Sequence, residues 1–318
     1  MPTDHPLDRP LFHWYRKTPF GPELVVCLYT RGCRYRACSF CSLPSVTAGD
    51  LQVPYREINT QVDFALGQLS AEELDAVVRV SLFNNGSTLD QETLPTKSLL
   101  YFLLKASDLP NLAVVSLETR AEYVEDWELK VLRQILPDRA ALEISLGFET
   151  FSEKIRNQVL RKGLTEAMFE SLLALLSANR CRLKCYVMLK PDVTLTEQEG
   201  VEEAVRTIEY LGGMSEKHKV EISVHLNPTY VARGSRLEND FRVKGYRPPD
   251  LSGVVEVLLK TESVGLWTYV GLDDEGLAAP GGEFRSELQD RARVIATLER
   301  FNATNDYRLL TELVSTAA

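Results

Sequence analysis

Three cysteines fall within nine residues of one another in the first part of the chain. Cys33, Cys38 and Cys41 have the spacing C-x4-C-x2-C, which puts three thiolates on one short loop. Three thiolates can hold three corners of a 4Fe-4S cluster and leave the fourth iron open to chelate a small molecule. A structural zinc site prefers four closed ligands, and no second Cys or His pair follows nearby. The three arginines between residues 31 and 36 would favour the thiolate form of the cysteines.

Two other interpretations of these cysteines stay open. In the first, they are three buried thiols or a zinc knuckle completed by a distant residue. In the second, they bind zinc or an iron-sulfur cluster in a non-catalytic module that acts as a sensor or an interaction site. The other cysteines are Cys27, Cys181 and Cys185. Cys27 would lie inside a strand, and Cys181 and Cys185 would point to one face of another strand, as buried small hydrophobes do. We therefore expect no auxiliary cluster on these three.

The composition is that of a folded protein with a large core. The 318 residues are 44% hydrophobic and 25% charged, so the core needs no metal or disulfide for support. Thirty-six Lys and Arg against 45 Asp and Glu leave a net charge of -9, which argues against a protein that coats nucleic acid by electrostatics alone. The sequence has no apolar run of membrane-spanning length and no signal-peptide pattern, so we expect a cytoplasmic protein that binds no membrane.

Short β-rich runs alternate with helical patterns, which indicates parallel βαβ units. The predicted strands are 23–29, 77–83, 112–117, 142–148, 182–189 and 220–226. The predicted helices between them are 58–69, 96–106, 122–135, 166–178 and 199–211, and a Thr-x-x-Glu capping box at 196–199 opens the last of them. Farther along, the pattern predicts a helix at 251–261, an apolar run at 265–270 and a helix at 285–301.

These elements predict an α/β fold, a partial (β/α)6 TIM-type barrel at residues 23–230. An irregular N-terminal lead-in at 1–22 precedes it, and a C-terminal extension at 231–318 packs on the barrel. In such folds the active-site groups lie on the loops after the carboxyl ends of the strands. The cysteine loop directly follows the first predicted strand, as an active-site loop would.

From about Glu23 to Leu259, which includes the cysteine loop, the chain resembles the radical S-adenosylmethionine superfamily. The branch it is similar to contains the radical subunit of archaeosine synthase and the Elongator catalytic subunit. The resemblance implies a 4Fe-4S cluster on Cys33, Cys38 and Cys41 whose open iron binds S-adenosylmethionine. One electron would then cleave the sulfonium to give a 5'-deoxyadenosyl radical. The first cysteine gap is one residue longer than the commonest family spacing, C-x3-C-x2-C.

The same resemblance implies further cofactor-binding residues at the ends of successive strands. The family positions that bind the adenine, the ribose and the methionine part of S-adenosylmethionine match Phe40, Asn85, Gly86, Ser87, Glu118, Glu149, Lys162 and Leu189. Arg161 is an alternative to Lys162 as the cation for the cofactor carboxylate.

The activity that the resemblance implies is the abstraction of hydrogen from a modified nucleoside or a tRNA. We expect tRNA as a substrate only with a partner protein, because the chain has a net negative charge. A small metabolite or a peptide is the alternative, and a reducing protein such as flavodoxin or ferredoxin would supply the electron. Candidates for substrate contact lie near predicted strand ends: Tyr29, Asn84, Arg120, Tyr186, His225, Asn227 and Tyr230.

Overall fold

The computed structural model describes residues 5–286 and 291–315, and eight strands of this part form one sheet in chain order. β1 pairs antiparallel with β2, β2 to β5 pair in parallel, and β8 pairs in parallel with β7. The strands are β1 (Phe12–Thr18), β2 (Gly21–Cys27), β3 (Arg79–Phe83), β4 (Val114–Glu118), β5 (Ala141–Glu149), β6 (Arg182–Leu189), β7 (Ile222–Pro228) and β8 (Thr268–Val270).

Helices alternate with the strands from β2 onward, which confirms the predicted α/β class and the partial (β/α)-barrel type. The helices are α1 (Tyr55–Gly67), α2 (Ala71–Ala76), α3 (Thr96–Ser107), α4 (Asp126–Ile135), α5 (Glu166–Ala178), α6 (Glu197–His218), α7 (Arg236–Lys244), α8 (Leu251–Thr261), α9 (Arg291–Thr304) and α10 (Arg308–Ser315). None of the helices in the described ranges is long and apolar enough to cross a bilayer.

The six predicted strands and the main helices are confirmed, with shifts of a few residues at their ends. The capping box of α6 is present: the Glu199 amide donates to Thr196 Oγ1 at 3.2 Å, and the Thr196 amide donates to Glu199 Oε2 at 2.8 Å. This reciprocal pair satisfies two amides that the helix itself leaves unbonded. The helix continues to His218, seven residues beyond the predicted end at 211.

The expectation of an irregular lead-in is wrong for residues 12–18, which form β1 and pair with β2 through a tight hairpin. All but the last two residues of β1 are half-buried, so its sequence lacks the apolar-polar alternation that marks a strand. The run at 265–270 contributes β8 to the sheet. The short helices α2, α7 and α10 were not predicted, and residues 287–290 of the predicted final helix lie outside the described residues.

The described residues divide into two compact units that interleave along the chain. The first unit contains the residues up to 36, Leu43–Leu146 and Met168–Leu183. The second contains Ala37–Ser42, Gly147–Ala167 and the residues from Lys184 onward. The predicted domain boundaries after residues 22 and 230 stay a prediction.

The core of the first unit contains a buried cluster of charges. Arg79, at 6% exposure, forms ion pairs with Glu23 and Glu143, which are 1% and 3% exposed. Hydroxyl groups complete the cluster: Ser81 Oγ donates to Glu23 at 2.5 Å and Ser116 Oγ to Glu143 at 2.8 Å. The cluster joins side chains of β2, β3, β4 and β5. It therefore ties together four neighbouring strands.

A buried carboxyl in α4 makes the stability depend on pH. Burial, with the like charge of Glu125 nearby, raises the pKa of Glu128 from 4.5 to about 7. The folded protein thus binds this proton more tightly than the unfolded chain does. The free energy of unfolding therefore falls as the pH rises from 4.5 to 7. We expect Glu128→Gln to raise the free energy of unfolding by roughly 1–3 kcal/mol at pH 8 and to have little effect at pH 4. Urea unfolding at the two pH values measures this, and equal effects at both would contradict it.

Candidate active site

The cysteine loop follows β2 and has no regular structure from residue 28 to residue 42. Cys33, Cys38 and Cys41 are half-buried and form no disulfide among the described residues. Among the described residues, no three Cys, His, Asp or Glu side chains converge as the ligands of a single metal ion would. A four-iron cluster takes each thiolate on a different iron and so needs a wider spacing than one zinc ion. Three thiols on one loop match the three protein ligands of a cluster that keeps one iron open, whereas a structural zinc site takes four.

The first half of the loop is held by ion pairs of its arginines. Arg34 donates to both carboxylate oxygens of Asp90, at 2.7 and 2.9 Å, and Asp90 is buried. Two more arginines of the loop form ion pairs: Arg31 with Glu92 at 3.2 Å, and Arg36 with Asp50 at 2.7 Å. Bidentate arginine pairs fix geometry as well as contribute energy. The arginines thus anchor the loop, a role that the sequence had not indicated.

The turn after β3 approaches the backbone of the first cysteine. A Cβ added at Gly86 would lie 3.3 Å from the Cys33 amide nitrogen and 3.4 Å from its Cα, so glycine permits this approach. Asn85 is buried at 6% exposure in a left-handed conformation, φ +52°. Its Nδ2 has no hydrogen-bond partner in the described part of the chain. A buried donor of this kind beside the cysteine loop fits a bound group that carries acceptors.

The end of β4 is bonded to the same turn. The carbonyl oxygen of Glu118 accepts from the Thr88 amide at 2.9 Å and from Thr88 Oγ1 at 2.8 Å. The Arg120 amide donates to Ser87 Oγ at 3.2 Å, and the Arg120 guanidinium lies 3.7 Å from the ring centre of Tyr35 in the cysteine loop. The first unit thus brings together the predicted residues Cys33, Asn85, Gly86, Ser87, Glu118 and Arg120.

In the second unit, Lys162 and Glu149 form an ion pair of 2.8 Å. Lys162 Nζ also lies 5.9 Å from the ring centre of Phe40, and Glu149 has a positive φ of +69°, which is uncommon for a residue with a side chain. A Cβ added at Gly147 would lie 2.2 Å from both Glu149 Oε1 and Lys162 Nζ. The structure therefore brings Lys162 together with Glu149 and Phe40, and Arg161 is exposed.

We expect Gly147→Ala to displace the Lys162–Glu149 pair, because the added methyl group would overlap both charged groups. The dissociation constant for S-adenosylmethionine should rise about ten-fold, a loss of roughly 1.4 kcal/mol. Isothermal titration of the reconstituted protein measures this. The control is Gly67→Ala, because an added Cβ there meets nothing within 4 Å. Unchanged affinity in Gly147→Ala would contradict a role of the pair in binding.

Two predicted substrate residues have structural contacts in the first unit. Tyr29 is buried, and its ring lies 4.5 Å from that of His5. Asn84 is fully buried, and its Oδ1 accepts from the Gly86 amide at 3.1 Å. These contacts support the core and the glycine turn. The roles of both residues in substrate binding stay a prediction.

The remaining predicted residues lie in the second unit. Tyr186 and His225 contact each other with ring centres 5.0 Å apart, and Asn227 follows on the same face of β7. The pKa of Tyr230 is raised by burial, with the nearby negative charges of Glu275 and Cys41 adding to the effect. Leu189 is buried, and its carbonyl oxygen accepts from Thr229 Oγ1 at 2.6 Å.

The sequence analysis did not single out Gly147, which lies against the Lys162–Glu149 pair, or Trp267 and Tyr269, whose rings lie next to each other and, for Tyr269, next to His225. A glycine inside a strand can mark close approach of other groups, which was a signal available at Gly147. Trp267 and Tyr269 alternate within the apolar run at 265–270, a pattern that predicts a strand with both residues on one face.

No family model matches the chain. The chain is 29% identical over 298 residues to archaeosine synthase subunit beta of Thermococcus kodakarensis, which covers 92% of this chain and 88% of that protein. The fold of this chain is similar to that of spore photoproduct lyase complexed with dinucleoside spore photoproduct, with a TM-score of 0.55 and 11% identity. The match covers 81% of this chain and 78% of the lyase chain. Its fold is also similar to that of archaeal Elp3 of Methanocaldococcus infernus, with a TM-score of 0.53 and 12% identity. That match covers 77% of this chain and 58% of the Elp3 chain. At these identities the solved structures show a shared fold.

Proposed function

We propose that this chain, an enzyme of the radical S-adenosylmethionine class, binds a 4Fe-4S cluster through Cys33, Cys38 and Cys41 and abstracts hydrogen from a substrate. The observation that carries the proposal is the loop of three half-buried thiols, of which Cys33 lies against a glycine turn. The buried, unbonded Nδ2 of Asn85 and the close approach at Gly86 support a bound cofactor next to Cys33.

A cluster held by Cys33, Cys38 and Cys41 would supply the single electron, received from a reducing protein such as flavodoxin or ferredoxin, for the reductive cleavage of S-adenosylmethionine. The chain itself binds and orients the cofactor. Lys162 offers a cation for the cofactor carboxylate, held in place by Glu149 at 2.8 Å. Backbone groups of the turn at residues 85–87 would receive the amino group, and the Glu118 carboxylate would be a further acceptor for it.

Three residues are proposed for the adenosine part of the cofactor. Phe40 offers an aromatic face and Leu189 a buried apolar surface for the adenine, and Glu149 offers a carboxylate for the ribose. Together these residues would orient the cofactor and keep water away from the reacting carbon.

A modified nucleoside or a tRNA is the substrate class that we propose. The similarity to a protein named archaeosine synthase subunit beta supports it, and the word subunit supports a partner chain. The net charge of -9 agrees with a partner that supplies the basic surface for RNA. The alternative is a small metabolite or a peptide in a biosynthetic pathway.

Substrate-stimulated formation of 5'-deoxyadenosine tests this proposal. The reconstituted, reduced enzyme is given S-adenosylmethionine alone, with tRNA, and with tRNA plus the companion subunit of the Thermococcus kodakarensis enzyme. We expect stimulation by tRNA that depends on the companion subunit and falls with added salt. Stimulation by a small-molecule extract free of RNA, and none by tRNA, would favour the alternative.

A further inference from the structure

Aromatic rings lie side by side on one face of β6, β7 and β8. The ring centres of Tyr186 and His225 are 5.0 Å apart, and those of His225 and Tyr269 are 4.7 Å apart. His225 and Tyr269 are direct partners in the pairing of β7 with β8. Trp267, two residues before Tyr269, has its ring centre 6.4 Å from that of Tyr269. We call Tyr186, His225, Trp267 and Tyr269 the aromatic shelf.

The opposite face of these strands forms the core. Val224, Leu226 and Val270 are 0% exposed, and α8 packs on β7 while α9 packs on β8. The rings of the aromatic shelf are half-buried instead. Aromatic side chains carry a large apolar area that the interior of a protein normally covers. A contiguous set of half-exposed rings is therefore typical of a binding surface.

Polar groups border the aromatic shelf. Asn227 lies two residues after His225 on the same face of β7 and is half-buried. A Cβ added at Gly271 would lie 2.1 Å from Asn227 Oδ1 and 3.0 Å from His225 Nε2, so the glycine leaves the room that both side chains occupy. Lys184 Nζ lies 5.9 Å from the ring centre of Tyr186. The surface thus combines ring faces with the Asn227 amide and the His225 imidazole, while Lys184 is buried at 4% exposure.

We propose that the aromatic shelf binds the planar nitrogen heterocycle of the substrate, a nucleobase, with its polar edge toward Asn227. This inference rests on the proposed function, because it assigns the substrate site of the same enzyme. Proteins hold unpaired bases by stacking them on aromatic side chains and by bonding their polar edges. An aliphatic ligand would leave the Asn227 amide unpaired and would gain nothing from ring stacking.

Equilibrium dialysis of guanosine against the reconstituted protein tests the inference. We expect Tyr269→Leu and Gly271→Ala to weaken binding at least about five-fold, because stacking on an aromatic ring is lost in one and Asn227 is displaced in the other. Tyr269→Phe keeps the ring and should bind as the wild type does. The matched control is Gly213→Ala in α6, because an added Cβ there meets nothing within 4 Å. Thermal unfolding of each variant shows whether it is folded.

A second pair of probes tests the requirement for a planar ring. Uridine and 5,6-dihydrouridine carry the same polar edge, but the second has a puckered ring, so we expect weaker binding of dihydrouridine.

Bulk tRNA, dialysed against the same variants, identifies RNA as the source of the base if its affinity also falls in Tyr269→Leu. Absence of guanosine binding to the wild type, equal binding to Tyr269→Leu, or equal affinity for the two uridines would overturn the inference. Binding is measured without cofactor cleavage, so wild-type protein that binds guanosine but forms no 5'-deoxyadenosine would count against the proposed function alone.

Discussion

Replacing Cys33, Cys38 or Cys41 by alanine is expected to abolish the formation of 5'-deoxyadenosine from S-adenosylmethionine. Each thiolate would hold one iron of the cluster, so two remaining thiolates leave two irons without a protein ligand. The iron content after anaerobic reconstitution should fall together with the activity. Iron analysis and chromatography of the nucleoside measure both quantities on the same samples.

The matched control for these variants is Cys181→Ala. Burial raises the pKa of the Cys181 thiol to about 12, so this side chain keeps its proton at neutral pH and is unsuited to bind iron. We expect the variant to retain both iron and cofactor cleavage. Cleavage that survives in a Cys38→Ala variant would contradict the assignment of the cluster ligands.

Arg79→Ala is expected to destabilise the fold by about 3–5 kcal/mol. The substitution removes the cation between Glu23 and Glu143 and leaves two buried carboxylates facing a cavity. Urea unfolding of the metal-free protein at pH 7 measures the change. The effect should be smaller at low pH, because protonation of the two carboxylates removes their uncompensated charge.

Arg16→Ala is the control for this prediction, because Arg16 pairs with the same Glu23 at 2.7 Å but its side chain is 23% exposed. We expect a loss of about 1 kcal/mol, as for ion pairs near the surface. A triple variant, Glu23→Gln, Arg79→Met, Glu143→Gln, should recover much of the stability lost in Arg79→Ala, since no charge is then left unpaired. Equal losses in Arg79→Ala and Arg16→Ala would contradict the central place of Arg79 in the cluster.

The buried cluster and the active site share one strand. Side chains of β5 alternate between its two faces, so Glu143, Ser145, Gly147 and Glu149 lie on the same face. Glu143 joins the charge cluster, and Glu149 pairs with Lys162 at 2.8 Å. A slip of β5 by one residue would turn both glutamates to the other face. The cluster therefore helps to fix the register of β5 against β4.

Local patterns were enough to predict the six main strands, the capping box of α6 and the cysteine loop. Each of these is encoded within a short window of sequence, as alternation, a capping pair or a spacing of thiols. β1 has no such signal, because most of its residues are half-buried on both faces. β8 is three residues long and joins the sheet only through its pairing with β7.

Contacts between distant residues account for what the sequence could not predict in the site. Arg161 and Lys162 are basic neighbours that the sequence does not distinguish as the partner of Glu149. Lys162 forms this pair in the structure, in the space left at Gly147 and with the left-handed backbone of Glu149. The arginines of the cysteine loop form ion pairs with carboxylates that come later in the chain, as Arg34 does with Asp90. Ion pairs of this kind are specified by the fold and leave no periodic signal in the sequence.

The central claim is that three thiolates of this chain hold a cluster that cleaves S-adenosylmethionine. The most direct measurement is the metal content of the anaerobically reconstituted wild-type protein, together with the 5'-deoxyadenosine that it forms after chemical reduction. We predict about four irons per chain and formation of the nucleoside. Bound zinc without nucleoside formation would contradict the claim and would favour a non-catalytic binding module.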